Sequence, residues 1–240
     1  MKYLRNLENE SDAIKKTYNV LYYIKPLGSM KIISTPHYIA IDLGLPSGLK
    51  WAKMNIGATK ETDYGKYFQW GDTVGYTDVS HSTWSTCPGN GGNSAYNADS
   101  IAAWDAENLK SVTGMTYSTK ILKPEVDAAT VNMGGYNWRM PTLEDYEELR
   151  GYTNHETVEI DGVAGEKFTS KIDSSKYIFL PFAGVAAEGS FMVQGSAGGI
   201  WSSSISLKWP DCAYYLDVNR SASTENADWR SAAYPIRGVC

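Results

Sequence analysis

The sequence predicts an α+β fold of short, irregular strands, two or three helices and long loops. Three observations carry that prediction. Short β-like apolar runs recur along the chain, each bounded by Gly, Pro, Asn, Asp or Ser. Only two segments carry clear helix-start signals. Tyr (17) and Trp (8) far outnumber Phe (5), and amphipathic rings in that ratio favour β-rich structure and binding surfaces.

Residues 1–36 read as an attachment or assembly segment, or else as an edge strand of the following domain. Ser11 can cap a short helix over residues 12–16, residues 18–24 form a β-like run, and Pro26, Gly28 and Pro36 punctuate the passage to residue 37. Residues 37–240 are expected to form one domain. Its first strands fall at residues 38–43, 50–52 and 66–70, with Leu45-Pro46-Ser47-Gly48 as turn chemistry. A long loop over residues 71–98 is Gly- and Asn-rich after Cys87.

A short helix is expected over residues 124–132, with Pro124 in its first turn and Gly134-Gly135 beyond its end. A second helix comes after Pro141: Thr142 caps it, Asp145 completes a capping box, and Leu143, Tyr146 and Leu149 make an apolar stripe. Its acidic run, Glu144, Asp145, Glu147 and Glu148, reads as a solvated face near a helix start. Residues 99–109 are a candidate third helix. Strands resume at residues 165–172 and 177–184. Three more are expected at residues 199–204, 213–218 and 234–239, with loops at 208–211 and 219–231 and a flexible connection at 195–199.

A net charge of −5 argues against a nucleic-acid or anionic-membrane partner, and no apolar run is long enough to span a bilayer. The first ten residues turn polar where a signal peptide needs its apolar core, so no secretion address is read. Cys87, Cys212 and Cys240 are too scattered for a disulfide framework; three free thiols are expected, with one pair plus a spare thiol as the alternative. His37, His81 and His155 lack ligand spacing and read as surface or loop residues.

Several pieces of the chain stand in a fixed order. They are Ile41-Asp42-Leu43-Gly44-Leu45-Pro46-Ser47-Gly48-Leu49-Lys50-Trp51-Ala52, Asn55-Ile56-Gly57-Ala58, Asp63-Tyr64-Gly65-Lys66-Tyr67-Phe68-Gln69-Trp70-Gly71-Asp72 and Asp127-Ala128-Ala129-Thr130-Val131-Asn132. Then come Asn137-Trp138-Arg139-Met140-Pro141-Thr142, Ile178-Phe179-Leu180-Pro181-Phe182-Ala183-Gly184, Trp201-Ser202-Ser203-Ser204 and Ile236-Arg237-Gly238-Val239. Together, over about residues 38–240, they closely resemble the Fibrobacter succinogenes major paralogous domain family. The resemblance implies a C-type-lectin-like fold, of the group that holds formylglycine-generating enzymes and the variable proteins of diversity-generating retroelements. In those variable proteins the C-terminal strands and loops, from near the W-S-S-S element onward, present the ligand-binding residues. Met1-Lys2-Tyr3-Leu4-Arg5 also resembles the N-termini of structural proteins in phages of gut Bacteroidales.

That resemblance places a ligand-binding surface within residues 204–231. Trp209 and Trp229 are large rigid anchors, and Asp211, Tyr214, Asn219, Ser221, Asn226 and Asp228 add adaptable polar contacts. Ser206, Lys208 and Arg230 complete the set. Strand alternation admits only one of Tyr214 and Tyr215 to the ligand side, and Tyr214 is the choice. Trp201-Ser202-Ser203-Ser204 and Ile236-Arg237-Gly238-Val239 are expected as scaffold, and Arg139 is expected to pair internally.

The expected function is non-enzymatic recognition of a protein or glycan on a cell surface, with no catalytic residue and no cofactor. The protein would sit on a phage tail or a cell surface. A structural calcium ion, a homo-oligomer and retroelement diversification are left open. A cell-surface glycan-binding adhesin is the first alternative. A formylglycine-generating-type oxidase is the second, set back by cysteine spacing that matches no recognisable redox pair. The Gly44-Leu45-Pro46-Ser47-Gly48 turn lacks G-x-S-x-G spacing, and residues 195–199 lack the Lys and Ser/Thr of a phosphate loop.

Overall fold

The computed structural model describes residues 20–21, 33–34, 38–88, 102–103, 120–134, 137–209, 211–221 and 223–240. The chain divides into two units, Met1–Tyr38 and Ile39–Cys240. In the first, β1 (Val20–Leu21) pairs antiparallel with β2 (Ile33–Ser34). The helix expected at residues 12–16 lies outside the described residues.

The second unit is mostly β-sheet, with two α-helices among the described residues. In chain order it holds β3 (Ala40–Asp42), β4 (Lys50–Ala52), β5 (Phe68–Gln69), β6 (Ala102–Ala103), β7 (Ile121–Leu122), α1 (Ala128–Asn132) and α2 (Leu143–Tyr152). Next are β8 (Thr153–Ile160), β9 (Val163–Ser170), β10 (Tyr177–Pro181), β11 (Val185–Ala187) and β12 (Ser190–Met192). The last four are β13 (Ala197–Ile205), β14 (Cys212–Asn219), β15 (Ser223–Trp229) and β16 (Ala233–Tyr234). β3 and β4 pair with each other. The larger sheets run β10-β9-β8, β12-β11-β16-β5 and β15-β14-β13-β7-β6.

The capping box at the start of α2 is present: the Thr142 side chain accepts from Asp145 N, and Asp145 accepts from Thr142 N. Arg139 forks onto the buried Asp145 carboxylate, the internal pairing expected of it. Tyr146 and Leu149 of α2 enter the main core with Leu43, Trp51, Phe168, Ile200, Leu216 and Val218. Burying such a side chain contributes about 1.5–3 kcal/mol each, so this layer is what holds the sheets to the helix.

Several expectations need correction. The acidic run of α2 is not a solvated face: Glu144, Asp145 and Glu148 are buried, and Glu148 accepts from Ser47 N (2.8 Å) and Ser47 Oγ (2.7 Å). The helix at residues 124–132 is two pieces, because Asp127 leaves helical geometry (ψ 113°) to cap α1 through Thr130 N. Ala102 and Ala103 are extended and pair with β7, which removes the helix expected at 99–109 there; its other residues lie outside the described ones. Gly198 and Gly199 belong to β13 rather than to a flexible connection. The final strand is shorter than expected, since only Ala233–Tyr234 is ladder.

Seven strands among the described residues were not expected: β2, β6, β7, β8, β11, β12 and β15. β8 pairs with β9 through a two-residue turn in which Asp161 (φ 50°) and Gly162 (φ 77°) both take the left-handed geometry of a tight hairpin. β15 occupies much of the expected 219–231 loop and forms one edge of the five-stranded sheet. His155 therefore lies on a strand, bonded to Glu166 through Nδ1 at 2.8 Å.

The W-S-S-S element is scaffold for a definable reason. Between Trp201 and Ile205 the register of β13 against β14 shifts, so backbone groups there lose their ladder partners. The serines take over. Ser202 Oγ donates to Tyr214 O (2.7 Å), Ser204 Oγ accepts from Leu143 N (3.0 Å), and Ser203 N donates to Pro141 O (2.7 Å). Trp201 Nε1 donates to Phe68 O and Trp70 Nε1 to Ser202 O, each at 2.9 Å, a reciprocal tie between the four- and five-stranded sheets.

Candidate functional site

Alternation along β14 decides which residues of the C-terminal tract look outward. Leu216 and Val218 are buried in the main core, so Tyr215, Asp217 and Asn219 stand on the opposite face. Cross-strand pairing of Tyr215 with Asn226, Asp217 with Thr224 and Ala213 with Asp228 places those β15 residues on the same outer face. One strip therefore carries Tyr215, Asp217, Asn219, Thr224, Asn226 and Asp228.

The strip is internally connected. Asp217 accepts hydrogen bonds from the Asn219 and Asn226 side chains, and Tyr215 bonds Asn226 and Tyr234. Tyr234 OH donates to Asp228 Oδ2 at 2.7 Å. Tyr215 stacks on Tyr234 (centroids 4.8 Å apart, 17° between planes), and Trp201 meets both edge-on. Gly199 makes room for that pair, since a Cβ there would lie 2.6 Å from ring carbons of both tyrosines. Burial pushes the Tyr215 phenol up to about 12 and raises the Asp217 carboxyl above its ordinary value.

A pocket of about 250 Å³ opens where this strip meets the turn after β12. Its lining includes Val193, Ala197, Gly198, Tyr215, Asp217 and Asn219. No Lys, Arg or His lines it. The floor is close-packed backbone: a Cβ on Gly198 would come 2.7 Å from Ala183 N.

At the other end of β14 and β15 the surface is aromatic. Trp209 and Trp229 are 53% and 54% exposed, and Leu207, two residues before Trp209, is exposed as well. Cys212 N donates to Trp209 O (2.8 Å), and Cys212 pairs with Trp229 across the ladder, which brings both tryptophans to one end of the sheet. Lys208 Nζ lies 4.3 Å from the centre of the Trp209 ring, and the Trp84 ring lies 6.4 Å from that of Trp229.

The structure thus sorts the residues expected to bind ligand. Asn219, Asn226 and Asp228 lie on the outer strip, and Ser221 is exposed in the turn that joins the two strands, its N–H donating to Asn219 Oδ1. Lys208, Trp209 and Trp229 lie at the aromatic end with the half-buried Asp211, whose carbonyl accepts from Arg230 N. Three assignments need correction. Arg230 is fully buried, 5.9 Å from the Trp70 ring, so it is core. Ser206 is buried and its Oγ accepts from Trp209 N, shaping the loop rather than meeting a ligand. Tyr214 shares the inward face of Leu216, and Tyr215 is the tyrosine on the outer face.

Sequence reasoning missed Tyr215, Asp217, Tyr234 and Val193. The alternation of Leu216 and Val218 with Asp217 and Asn219 held the signal for the first two. Among the described residues no cluster of three or more His, Cys, Asp or Glu side chains forms a metal site, and no helix is long and apolar enough to cross a membrane. Cys87 is buried, Cys212 half-buried and Cys240 exposed, all as thiols. No protein-family model, no curated protein and no solved structure matches the chain.

Proposed function

We propose that this protein is a non-enzymatic recognition protein of C-type-lectin-like fold, which binds a ligand on a cell or virion surface through the outer face of β14 and β15 together with the exposed tryptophans at the end of those strands. One observation carries the reading. A connected strip of carboxylate, amide and phenol groups runs along the outer face from the pocket, and at the far end of the same two strands Trp209 and Trp229 are exposed, Trp229 on the face of its ladder partner Cys212 rather than on the strip. Pre-organised polar groups beside rigid aromatic anchors give contact area at low entropic cost.

The thiol chemistry of the oxidase alternative is disfavoured by the same burial. Burial pushes the Cys87 thiol up to about 11 and raises that of Cys212, which keeps both protonated at neutral pH and poor as nucleophiles or ligands.

The test is binding of the fluorescently labelled chain to a panel of intact bacterial cells, read by flow cytometry. Trp209→Ala and Trp229→Ala are expected to weaken the binding about tenfold or more, the loss of one hot-spot anchor each. Binding that ignores both substitutions, or a copper-dependent oxidation of a cysteine peptide abolished by Cys212→Ser, would contradict the proposal.

A further inference from the structure

The pocket at the end of the strip holds a carboxylate that no cation answers among the described residues. Asp217 lines it, and none of the described Lys, Arg or His side chains forms an ion pair with Asp217. Arg220 is exposed in the turn after Asn219 and is not part of the lining. The side chains that do bond Asp217 are those of Asn219 and Asn226, both neutral donors. Burial raises the carboxyl above its ordinary value, and no neighbouring positive charge pulls it back. A second carboxylate stands close by, since Asp228 accepts from the hydroxyl of Tyr234, another lining residue, at 2.7 Å.

Charge then selects the occupant. An anion would meet these carboxylates and no base in the lining. A neutral hydroxyl would add one more neutral donor to the two that Asp217 already has and leave its charge uncompensated. A cation answers that charge, and the rings of Tyr215 and Tyr234 in the same lining attract cations as well. With two amides already bonded to it, Asp217 suits a point charge better than the parallel two-bond fork of a guanidinium.

The opposite wall decides what carries the charge. It is apolar, made by Val185, Val193 and Ala197. Met192 pairs with Val185 across the β11-β12 hairpin, which places it on the same face, and it is 46% exposed. Val193 is 55% exposed and holds φ 54°, a conformation strained for a β-branched residue and free of strain for a glycine. Folding alone therefore gives no reason for the apolar side chain kept there. A lysine side chain matches both walls, because it lays its methylenes along apolar surface and carries its charge beyond them. The volume of about 250 Å³ is below the usual range for drug-sized ligands and suits a single side chain.

We propose that this pocket receives the side chain of a lysine presented by a protein partner, its ammonium group on Asp217 and its methylenes against Val185 and Val193. The inference rests on the recognition function proposed above and names the partner of one part of that surface as a protein.

Calorimetry and saturation-transfer NMR on the full chain test it with Nα-acetyl-lysinamide as the probe. Nα-acetyl-norleucinamide, which keeps the stem and lacks the charge, is the main control, beside Nα-acetyl-argininamide, choline and methyl glucoside. The lysine amide is expected to bind saturably in the millimolar range. The norleucine amide is expected to bind about tenfold more weakly or not at all, and Asp217→Asn to weaken the lysine amide about tenfold or more, one charge-assisted partner being lost in each case. The comparison of the two amides uses the unaltered chain, so it stands even where the variant folds poorly. Binding of the labelled chain to cells should fall both when the cell amines are acetylated and when the cells are treated with a broad-specificity protease. The proposal is overturned if the lysine amide does not bind saturably, if any control binds as well or better, or if Asp217→Asn leaves affinity unchanged. Loss of cell binding on acetylation but not on proteolysis would assign the ammonium group to a lipid or polyamine and overturn it too. Cell binding that persists while the lysine amide fails to bind would remove the lysine pocket and leave the recognition function standing; absence of both would remove both.

Discussion

Arg237 Nε donates to Asn55 Oδ1 at 2.8 Å, a bond that joins segments 182 residues apart. The same guanidinium donates to Ala52 O (3.0 Å), Lys53 O (2.6 Å) and Phe179 O (2.8 Å), while Asn55 Nδ2 donates to Tyr64 O (2.9 Å). Burial lowers the Arg237 guanidinium to about 9, which still leaves it charged at neutral pH. One buried cation thus gathers β4, β10 and the last segment of the chain.

Removing it should therefore unfold much of what it gathers. Arg237→Met is expected to lower the unfolding free energy by about 3 kcal/mol or more, because several buried acceptors lose their donor at about 1–3 kcal/mol each. Urea titration measures this, and a loss under about 1 kcal/mol would show that the acceptors find water instead.

Gly199→Ala tests the tyrosine pair. The added methyl group would sit 2.6 Å from Tyr215 and Tyr234 ring carbons. Overpacking of that kind costs about 1–3 kcal/mol. Near-ultraviolet circular dichroism should change with it, because the stacked tyrosines and Trp201 would separate.

Ser202→Ala tests the role of the serines at the bulge. It would strip the Tyr214 carbonyl and the Ser204 N–H of a buried partner, at about 1–3 kcal/mol. A neutral result would mean that β13 can re-register against β14.

Asp127 gives a pH dependence with a defined sign. Its carboxyl accepts from Thr130 N and Met140 N, yet burial raises it above its ordinary 3.8. The folded state then holds the proton to higher pH than the unfolded state. The stability this gives is full below 3.8 and is lost as pH rises through the folded value. Asp127→Asn should abolish that slope, so the mutant gains relative to wild type as pH rises through that folded value. Urea titrations at a series of pH values check it.

Local signals in the sequence were legible; edges and registers were not. Thr142 and Asp145 sit within one helical turn, so their box could be read directly. β8 and β15 escaped notice because neither alternates cleanly. β8 is an edge strand with four consecutive exposed residues. β15, Ser-Thr-Glu-Asn-Ala-Asp-Trp, is polar on its outer face, and inward its Glu225 pairs with Arg150 of α2. The Asp161-Gly162 dipeptide was a usable hairpin signal that the strand pattern around it obscured. In the candidate site, the choice between Tyr214 and Tyr215 turned on a single step of register, which flips every side chain. The burial of Glu148 depends on Ser47, 101 residues away, and nothing local to the helix discloses it.

The central claim is that the outer face of β14 and β15, together with the exposed tryptophans at the end of those strands, binds while the rest supports. The most direct measurement sets affinity beside melting temperature for Asp217→Asn on that face, for Trp209→Ala in the loop at its aromatic end and for Glu156→Lys on the exposed edge strand β8. The first two are predicted to weaken binding to cells about tenfold or more, Glu156→Lys is not, and all three should melt within about 2–4 °C of wild type. Binding retained by the first two and lost in Glu156→Lys would contradict the claim and move the recognition surface to the three-stranded sheet.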